Sequence, residues 1–333
     1  SSAYGVALVL IQSTAAPSAH LLELCAPTVS WSVQVRWYPC STTIPRLASA
    51  GTLLRDLANG ATYSRKREGK SRMHLIVLGG SAACPNPRQG CSGYLISDGG
   101  FNLLLDCGPG IVPELLAHVR LDDLYGIVLS HLHQDHMLDL IPLRYGLKYG
   151  PATRIRRLPV WIPPGGQEFF ATLGRALAQG NETGASFFEE TYDFREYEPD
   201  EPLLIEQCRI RFHRTRHWIP CWALRIEMPD GTLAYTADTG WDEALIPFLR
   251  DADVLIIEAT LADDAAAAER EGHLTVSEAG RLAALAGVRQ VVITHYWASD
   301  DFIRQLSAAA REFGKPLEIA RPGLVLEVPG RIA

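Results

Sequence analysis

The 333-residue sequence has no Cys-X-X-Cys pair, no apolar run long enough to cross a bilayer and no excess of positive charge. Its seven cysteines, at 25, 40, 84, 91, 107, 208 and 221, are odd in number and widely spaced, which argues against a disulfide framework and against a zinc ribbon. They read as buried or half-buried free thiols of a reducing compartment. The early apolar run GVALVLI at 5–11 falls far short of the ~20 residues of a membrane helix. It also lacks the basic flank of an export signal, so the chain reads as a cytoplasmic globular protein with no membrane partner. Net charge is −7, unevenly shared: residues 1–72 hold 8 Lys/Arg and 3 Asp/Glu, which leaves a balance of −12 for 73–333. That acidic module lacks the basic footprint of a general nucleic-acid binder.

Residues 1–72 show no clear period of 2 or 3.6 and are rich in small and turn-forming residues, ending in the basic run SRKREGKSR. Met73 then opens MHLIVLGG, a convincing first strand. The expectation is an irregular extension over 1–72, whose native status is open, followed by one catalytic domain over 73–333. From there, MHLIVLG, SGYLIS, NLLLD and DLYGIVLS read as short apolar strands separated by turn residues. DHMLDLIPLRYG reads as a helix starting on Asp135, PVWIPP as a strand, and QEFFATLGRALAQG as a helix ended by Gly180. CRIRFHRTRH, CWALRIEMPDGTLAYTAD, ADVLIIEA and VRQVVITH add strands, and TVSEAGRLAALAG is an amphipathic helix closed by Gly287. Strands alternating with helices favour sheets covered by helices.

What the sequence does have is SHLHQDHMLDL at 130–140, with three histidines and two aspartates in nine positions. Zinc takes imidazole nitrogen and carboxylate oxygen, and a catalytic site leaves a position open. His131 and His133 point to one side in extended backbone, and Asp135 and His136 follow at the turn into a helix. Such a set suits two metals, which polarise a phosphoryl or carbonyl group and make hydroxide available near neutral pH. Asp139, one turn on, reads as a surface carboxylate or one that supports a ligand. Further ligands are expected at other strand ends: His217, preferred over His213, then Asp238 after TLAYTA, and His295 after VVIT.

These residues resemble the metallo-β-lactamase superfamily, in its ribonuclease Z-like phosphodiesterase branch, over about 73–328. The motifs are SHLHQDH, RH at 216–217, YTADTG at 235–240 and ITHYW at 293–297. The resemblance implies an α/β fold, an αββα sandwich with the metal site at one edge of two sheets. It also implies one metal on His131, His133 and His217, the other on Asp135, His136 and His295, with Asp238 bridging. IEATLADD at 257–264 and EGHLTVSEAGRLAALAG at 271–287 resemble two further motifs of the branch, with Leu274 in place of the usual serine. They imply a histidine, His273, that protonates the leaving oxygen and a glutamate, Glu258, that orients it. Asp135, His273 and Glu258 are the candidate catalytic residues, and two Zn2+, with Mn2+ or Fe2+ as alternatives, the expected cofactors. LLLDCGPG resembles the segment supporting the metal loop, with Asp106 bonding a metal-ligating histidine and Gly108 structural.

Ribonuclease Z carries a tRNA-gripping arm between its third histidine motif and the bridging aspartate. Only 21 residues separate His217 from Asp238 here, enough for two strands and a turn. The expected substrate is therefore a small or cyclic phosphodiester or nucleotide. A tRNA 3′-processing nuclease acting on RNA, or a lactone or β-lactam hydrolase, is the alternative. The basic cluster RYGLKYGPATRIRR, with Arg144, Lys148, Arg154, Arg156 and Arg157, is read either as a phosphate holder or as a solvated face. Phe169, Phe170, Phe187 and Phe188 are expected to line a lid, and a homodimer is the oligomer to test.

Overall fold

In the computed structural model of the chain, residues 72–150, 156–178 and 186–329 are described below. They belong to one compact unit within Ser64–Ala333. Residues 1–71, Arg154 and Gly180, on which earlier expectations fall, lie outside the described residues.

Two seven-stranded sheets form the frame. The first is built from β1 (His74–Gly79), β2 (Gly93–Asp98), β3 (Phe101–Leu105), β4 (Gly126–Val128), β5 (Leu158–Ile162), β6 (Tyr192–Glu196) and the final strand β14 (Leu324–Glu327), in the order β14-β1-β2-β3-β4-β5-β6. The second follows the order β13-β12-β11-β10-β9-β8-β7. Its strands are β7 (Leu203–Ile205), β8 (Cys208–Arg214), β9 (Trp222–Met228), β10 (Gly231–Tyr235), β11 (Val254–Glu258), β12 (Gln290–Thr294) and β13 (Glu318–Ile319). Each sheet runs from antiparallel pairs to parallel ones, at β3-β4 in the first and β10-β11 in the second.

Strand periodicity explains the layers. On β2, Tyr94 and Ile96 face the core between the sheets, while Leu95 turns to the opposite face. β3 does the same with Leu103 and Leu105 against Leu104. A strand buried on both faces loses the polar alternation of a half-exposed one, which is why apolar residues stand side by side at 94–96 and 103–105. Helices α1 (Val112–His118), α2 (Gln134–Met137), α3 (Leu140–Tyr149), α4 (Gly166–Leu177) and α5 (Ser186–Glu189) are associated with the first half of the chain; α6 (Leu245–Leu249), α7 (Val276–Ala286) and α8 (Asp300–Phe313) follow in the second. The αββα expectation therefore holds.

Two local expectations change. The helix anticipated from Asp135 onward is two helices, broken at Leu138–Asp139. Pro142 has no N–H to give the carbonyl of residue 138, and its ring crowds that carbonyl, which favours the break seen there. The phenylalanines do not form a lid: Phe170, Phe187 and Phe188 are buried in the outer core beside Tyr192, and Phe169 and Phe194 pack on the same cluster. α7 begins as its sequence suggests, with Thr275 and Glu278 forming a reciprocal capping box, and ends at Gly287.

Candidate metal centre

The register of the parallel strands assembles the site. Tyr235, Ile256 and Val292 form one row across β10, β11 and β12. The chain leaves all three strands on the same edge, so Asp238, Glu258 and His295 emerge side by side. On the first sheet Leu105 pairs with Val128, which puts Asp106 beside the loop holding His131, His133, Asp135 and His136. Trp222 N–H donates to the Ser130 carbonyl at 3.3 Å, tying the two sheets at this edge. His217 sits in the loop between β8 and β9, held as the Thr215 hydroxyl donates to Asp238 O at 2.7 Å and Gly240 N–H to Arg216 O at 2.8 Å. His213 stays within β8, its ring 5.3 Å from that of Phe248, away from the cluster.

Seven side chains converge in two donor sets that share Asp238. His131, His133, His217 and Asp238 form one; Asp135, His136, Asp238 and His295 form the other. Glu258, His273 and His295 make a further group that shares His295 with the second set. His133 Nδ1 lies 3.2 Å from His131 Nε2 and 3.0 Å from His217 Nε2. Asp135 Oδ2 lies 3.0 Å from His295 Nε2 and 3.4 Å from His136 Nε2.

Hydrogen bonds on the far side of four rings assign their tautomers. His136 Nδ1 donates to Asp106 Oδ2 at 2.7 Å, and His217 Nδ1 to the Gly272 carbonyl at 2.9 Å. The Ser130 hydroxyl donates to Asp106, leaving its oxygen to accept from His131 Nδ1 at 3.0 Å. Likewise the Thr260 hydroxyl donates to Glu258 Oε2 and accepts from His295 Nδ1, both at 2.7 Å. Each of these rings therefore turns Nε2 inward. His131 and His217 aim two lone pairs at one nitrogen of His133, which carries at most one proton. His136 Nε2 and Asp238 Oδ1 face one another at 3.3 Å, both buried and without a hydrogen-bond partner. Buried polar atoms are ordinarily paired, and a shared cation satisfies both of these. The donor set of imidazoles and carboxylates fits a divalent metal.

Electrostatics agree with that reading for three of the histidines. Burial pushes His131 well below the usual imidazole range, helped by neighbouring His136, and also lowers His133 and His217. Neutral imidazole is the ligating form. Burial opposes charge on His136, but Asp238, Asp135 and Asp106 surround it and raise its pKa. Burial likewise works against the Asp135 and Asp238 carboxylates, yet His136 and His295 hold Asp135 low, and His295, His136 and His131 hold Asp238 well below the usual range. Carboxylates kept ionised among imidazoles favour a bound cation.

Beside this centre lies a second pair. Glu258, fully buried, meets His273 Nδ1 at 2.9 Å. Its oxygens also accept from the backbone N–H groups of Thr239, Thr260 and Leu274 and from the Thr260 hydroxyl. Leu274 contributes through its backbone, so the leucine side chain there leaves the pair intact. Burial disfavours charge on His273, but Glu258, and Asp238 beyond it, outweigh this and raise its pKa to about 9. The His273 ring stacks 5.4 Å from that of His295.

Asp139 departs from the surface expectation: it is only 8% exposed and its Oδ2 accepts the N–H of Val112, the first residue of α1, at 2.9 Å. It belongs to neither donor set. Asp106, at φ +55, accepts from four groups: the Ser130 N–H and hydroxyl, His136 and the Tyr235 hydroxyl. Gly108 allows the metal loop to close, since a Cβ there would come within 1.9 Å of Asp135 O. Thr260 is the residue sequence reasoning missed, although it stands in the quoted IEATLADD. In the basic cluster, Arg144 is buried and its Nη2 lies 3.7 Å from Glu190, and Lys148 pairs with the same carboxylate.

A carboxylate- and imidazole-lined centre at the shared edge of two sheets defines a metal-dependent hydrolase. The chain belongs to the beta-lactamase superfamily, matching the family's "Beta-lactamase superfamily domain" over residues 101–296. It is 32% identical over 259 residues to the probable metallo-hydrolase YhfI of Bacillus subtilis, covering 77% of this chain and 100% of that one. The crystal structure of YhfI, a metallo-beta-lactamase fold protein, superposes with a TM-score of 0.66 at 30% identity, covering 78% of this chain and all of that one. A ribonuclease Z from Thermobifida fusca is 28% identical over 308 residues, covering 78% of this chain and 96% of its own. Among the described residues no helix is long and apolar enough to cross a membrane.

Proposed function

We propose that residues 73–333 form a dinuclear-zinc hydrolase of small or cyclic phosphodiesters. The observation that carries the phosphodiester reading is the Glu258–His273 pair beside the donor cluster, His273 Nδ1 lying 2.9 Å from the buried carboxylate. His131, His133 and His217 would hold one ion, Asp135, His136 and His295 the other, and Asp238 would bridge them. Mn2+ or Fe2+ would suit the same nitrogen and oxygen donors. When bound, the ions supply Lewis acidity and the acidification of water that hydrolysis near neutral pH requires.

The chain's own groups account for the rest. Glu258 fixes the His273 ring through Nδ1, which leaves Nε2 for a substrate oxygen. Phosphodiester cleavage expels an alkoxide, and a charged imidazole donates the proton it needs. Glu258 then stabilises the charge that the ring holds before transfer. Thr260 joins the two functions, its hydroxyl touching both Glu258 and His295.

A small substrate is supported by the chain between His217 and Asp238, which holds β9, a turn at 229–230 and β10 and leaves no room for an arm. The alignment with the Thermobifida ribonuclease Z spans 308 positions, whereas 78% of 333 residues is about 260, so some 48 positions have no counterpart here. The alignment with YhfI, 259 positions against 77% of the chain, is almost free of such gaps. A tRNA-processing nuclease remains the second reading on the strength of that ribonuclease relative.

The test is a parallel assay of bis(p-nitrophenyl) phosphate, 2′,3′- and 3′,5′-cyclic nucleotides, pre-tRNA, a lactone and a β-lactam, with and without chelator. Chelator-sensitive turnover of the small diesters is expected. Preference for pre-tRNA, for the lactone or for the β-lactam contradicts the proposal.

A further inference from the structure

Trp218 follows the metal-centre histidine His217 and, at 58% exposed, is among the large apolar side chains the fold leaves open. Most exposed hydrophobics need no explanation, but this one is built into its place. A Cβ at Gly272 would lie 2.7, 2.8 and 2.9 Å from Trp218 Cε2, Cζ2 and Cδ2. Near-equal distances to three contiguous ring atoms put that point over the ring face, so one face of the indole lies flat on the Gly272 backbone. Gly272 has φ −118, which any residue adopts, so close approach to this ring is what asks for glycine there. The same Gly272 carbonyl takes the His217 Nδ1 proton. The indole edge-packs on His273 with centroids 5.1 Å apart and tilts 5.2 Å from His217.

Together these contacts seat one indole face on the backbone, brace the ring against both a metal-centre histidine and the acid histidine, and leave the rest open. An aromatic side chain held this way loses little conformational freedom when a base stacks on it. We propose that the free face of Trp218 is the stacking platform for the aromatic base of a nucleotide substrate, on the leaving-group side of the centre. This rests on the proposed phosphodiesterase function and narrows it from diesters in general to those carrying a planar aromatic group. The side follows from His273: the group whose oxygen receives its proton lies nearest to the ring that packs against it. Trp218 thus selects substrate and positions it.

The test compares binding of adenosine 5′-monophosphate with that of ribose 5-phosphate, which keeps sugar and phosphate but lacks the base, to the purified metal-loaded protein by calorimetry. Wild type is expected to favour the nucleotide by about tenfold or more, within the range of one base–aromatic stack. Trp218→Leu, which keeps apolar bulk without an aromatic face, should cut that preference to below about threefold, while Trp218→Phe should keep most of it. Gly272→Ala, which displaces the indole without removing it, should also weaken the preference. A wild-type protein that does not distinguish the two ligands, or a preference that survives in Trp218→Leu, overturns the platform. Turnover of bis(p-nitrophenyl) phosphate by the same wild-type preparation reports separately on the reaction: a base preference without hydrolysis sinks the proposed function and leaves the platform standing, and hydrolysis without a base preference does the reverse.

Discussion

Residue by residue, the centre is defined as much by what holds the histidines as by the histidines themselves. Asp106 accepts four hydrogen bonds and orients His136 through one of them. Asp106→Asn would present N–H groups to donors, and its expected effect is a metal affinity lower by about 10- to 100-fold, read by competition with a chromophoric chelator. His273→Ala leaves both donor sets whole, so it should retain metal and lose about 10²- to 10⁴-fold in phosphodiester turnover. Because Glu258 raises the His273 pKa to about 9, its proton is present at pH 7 and is lost as pH rises through about 9. Turnover should fall along that alkaline limb, and a pH–rate profile without it in wild type would contradict the acid role. Most of the candidate donor positions were legible in the sequence because they follow apolar strands, whereas His217 stands in the loop after β8, whose apolar residues alternate with arginines. Thr260 was not, since nothing in a threonine two residues after Glu258 announces a hydroxyl bridging a glutamate to a histidine 35 residues away.

At the scale of elements, the site depends on strands that end together and on helices that begin where they should. The Thr275–Glu278 capping box starts α7 directly after His273 and Leu274, fixing the end of the loop that carries His273. Thr275→Ala should cost about 1 kcal/mol, seen as a lower urea midpoint with an unchanged slope. The two-helix form of 134–149 was readable in principle from Pro142, yet the helical period of the residues around it masks the break. Asp139 misleads for a related reason: it stands between two helices, and its burial comes from α1, a non-local contact that no local pattern records. The phenylalanines show the same limit, since an aromatic run under a sheet and one lining a lid share a composition and differ only in what packs over them.

At the scale of the whole molecule, two sheets with matching antiparallel-to-parallel progressions meet along one edge, and the donors sit there because parallel strands release the chain on the same side. The layered architecture was accessible from alternating strands and helices. The return of β14 to pair with β1 was not, because that pairing joins residues some 250 apart and leaves no short-range trace. That edge gathers the carboxylates of Asp135 and Asp238 among five imidazoles, a donor set suited to divalent ions, so metal content is the property to measure first. Elemental analysis of the purified protein should find about two divalent ions per chain, bound by wild type and lost in His131→Ala and Asp238→Ala, with chelator removing the ions and the hydrolytic activity together. A wild-type protein that holds no metal, or that hydrolyses its substrate undiminished after the metal is stripped, would contradict a metal-dependent hydrolase.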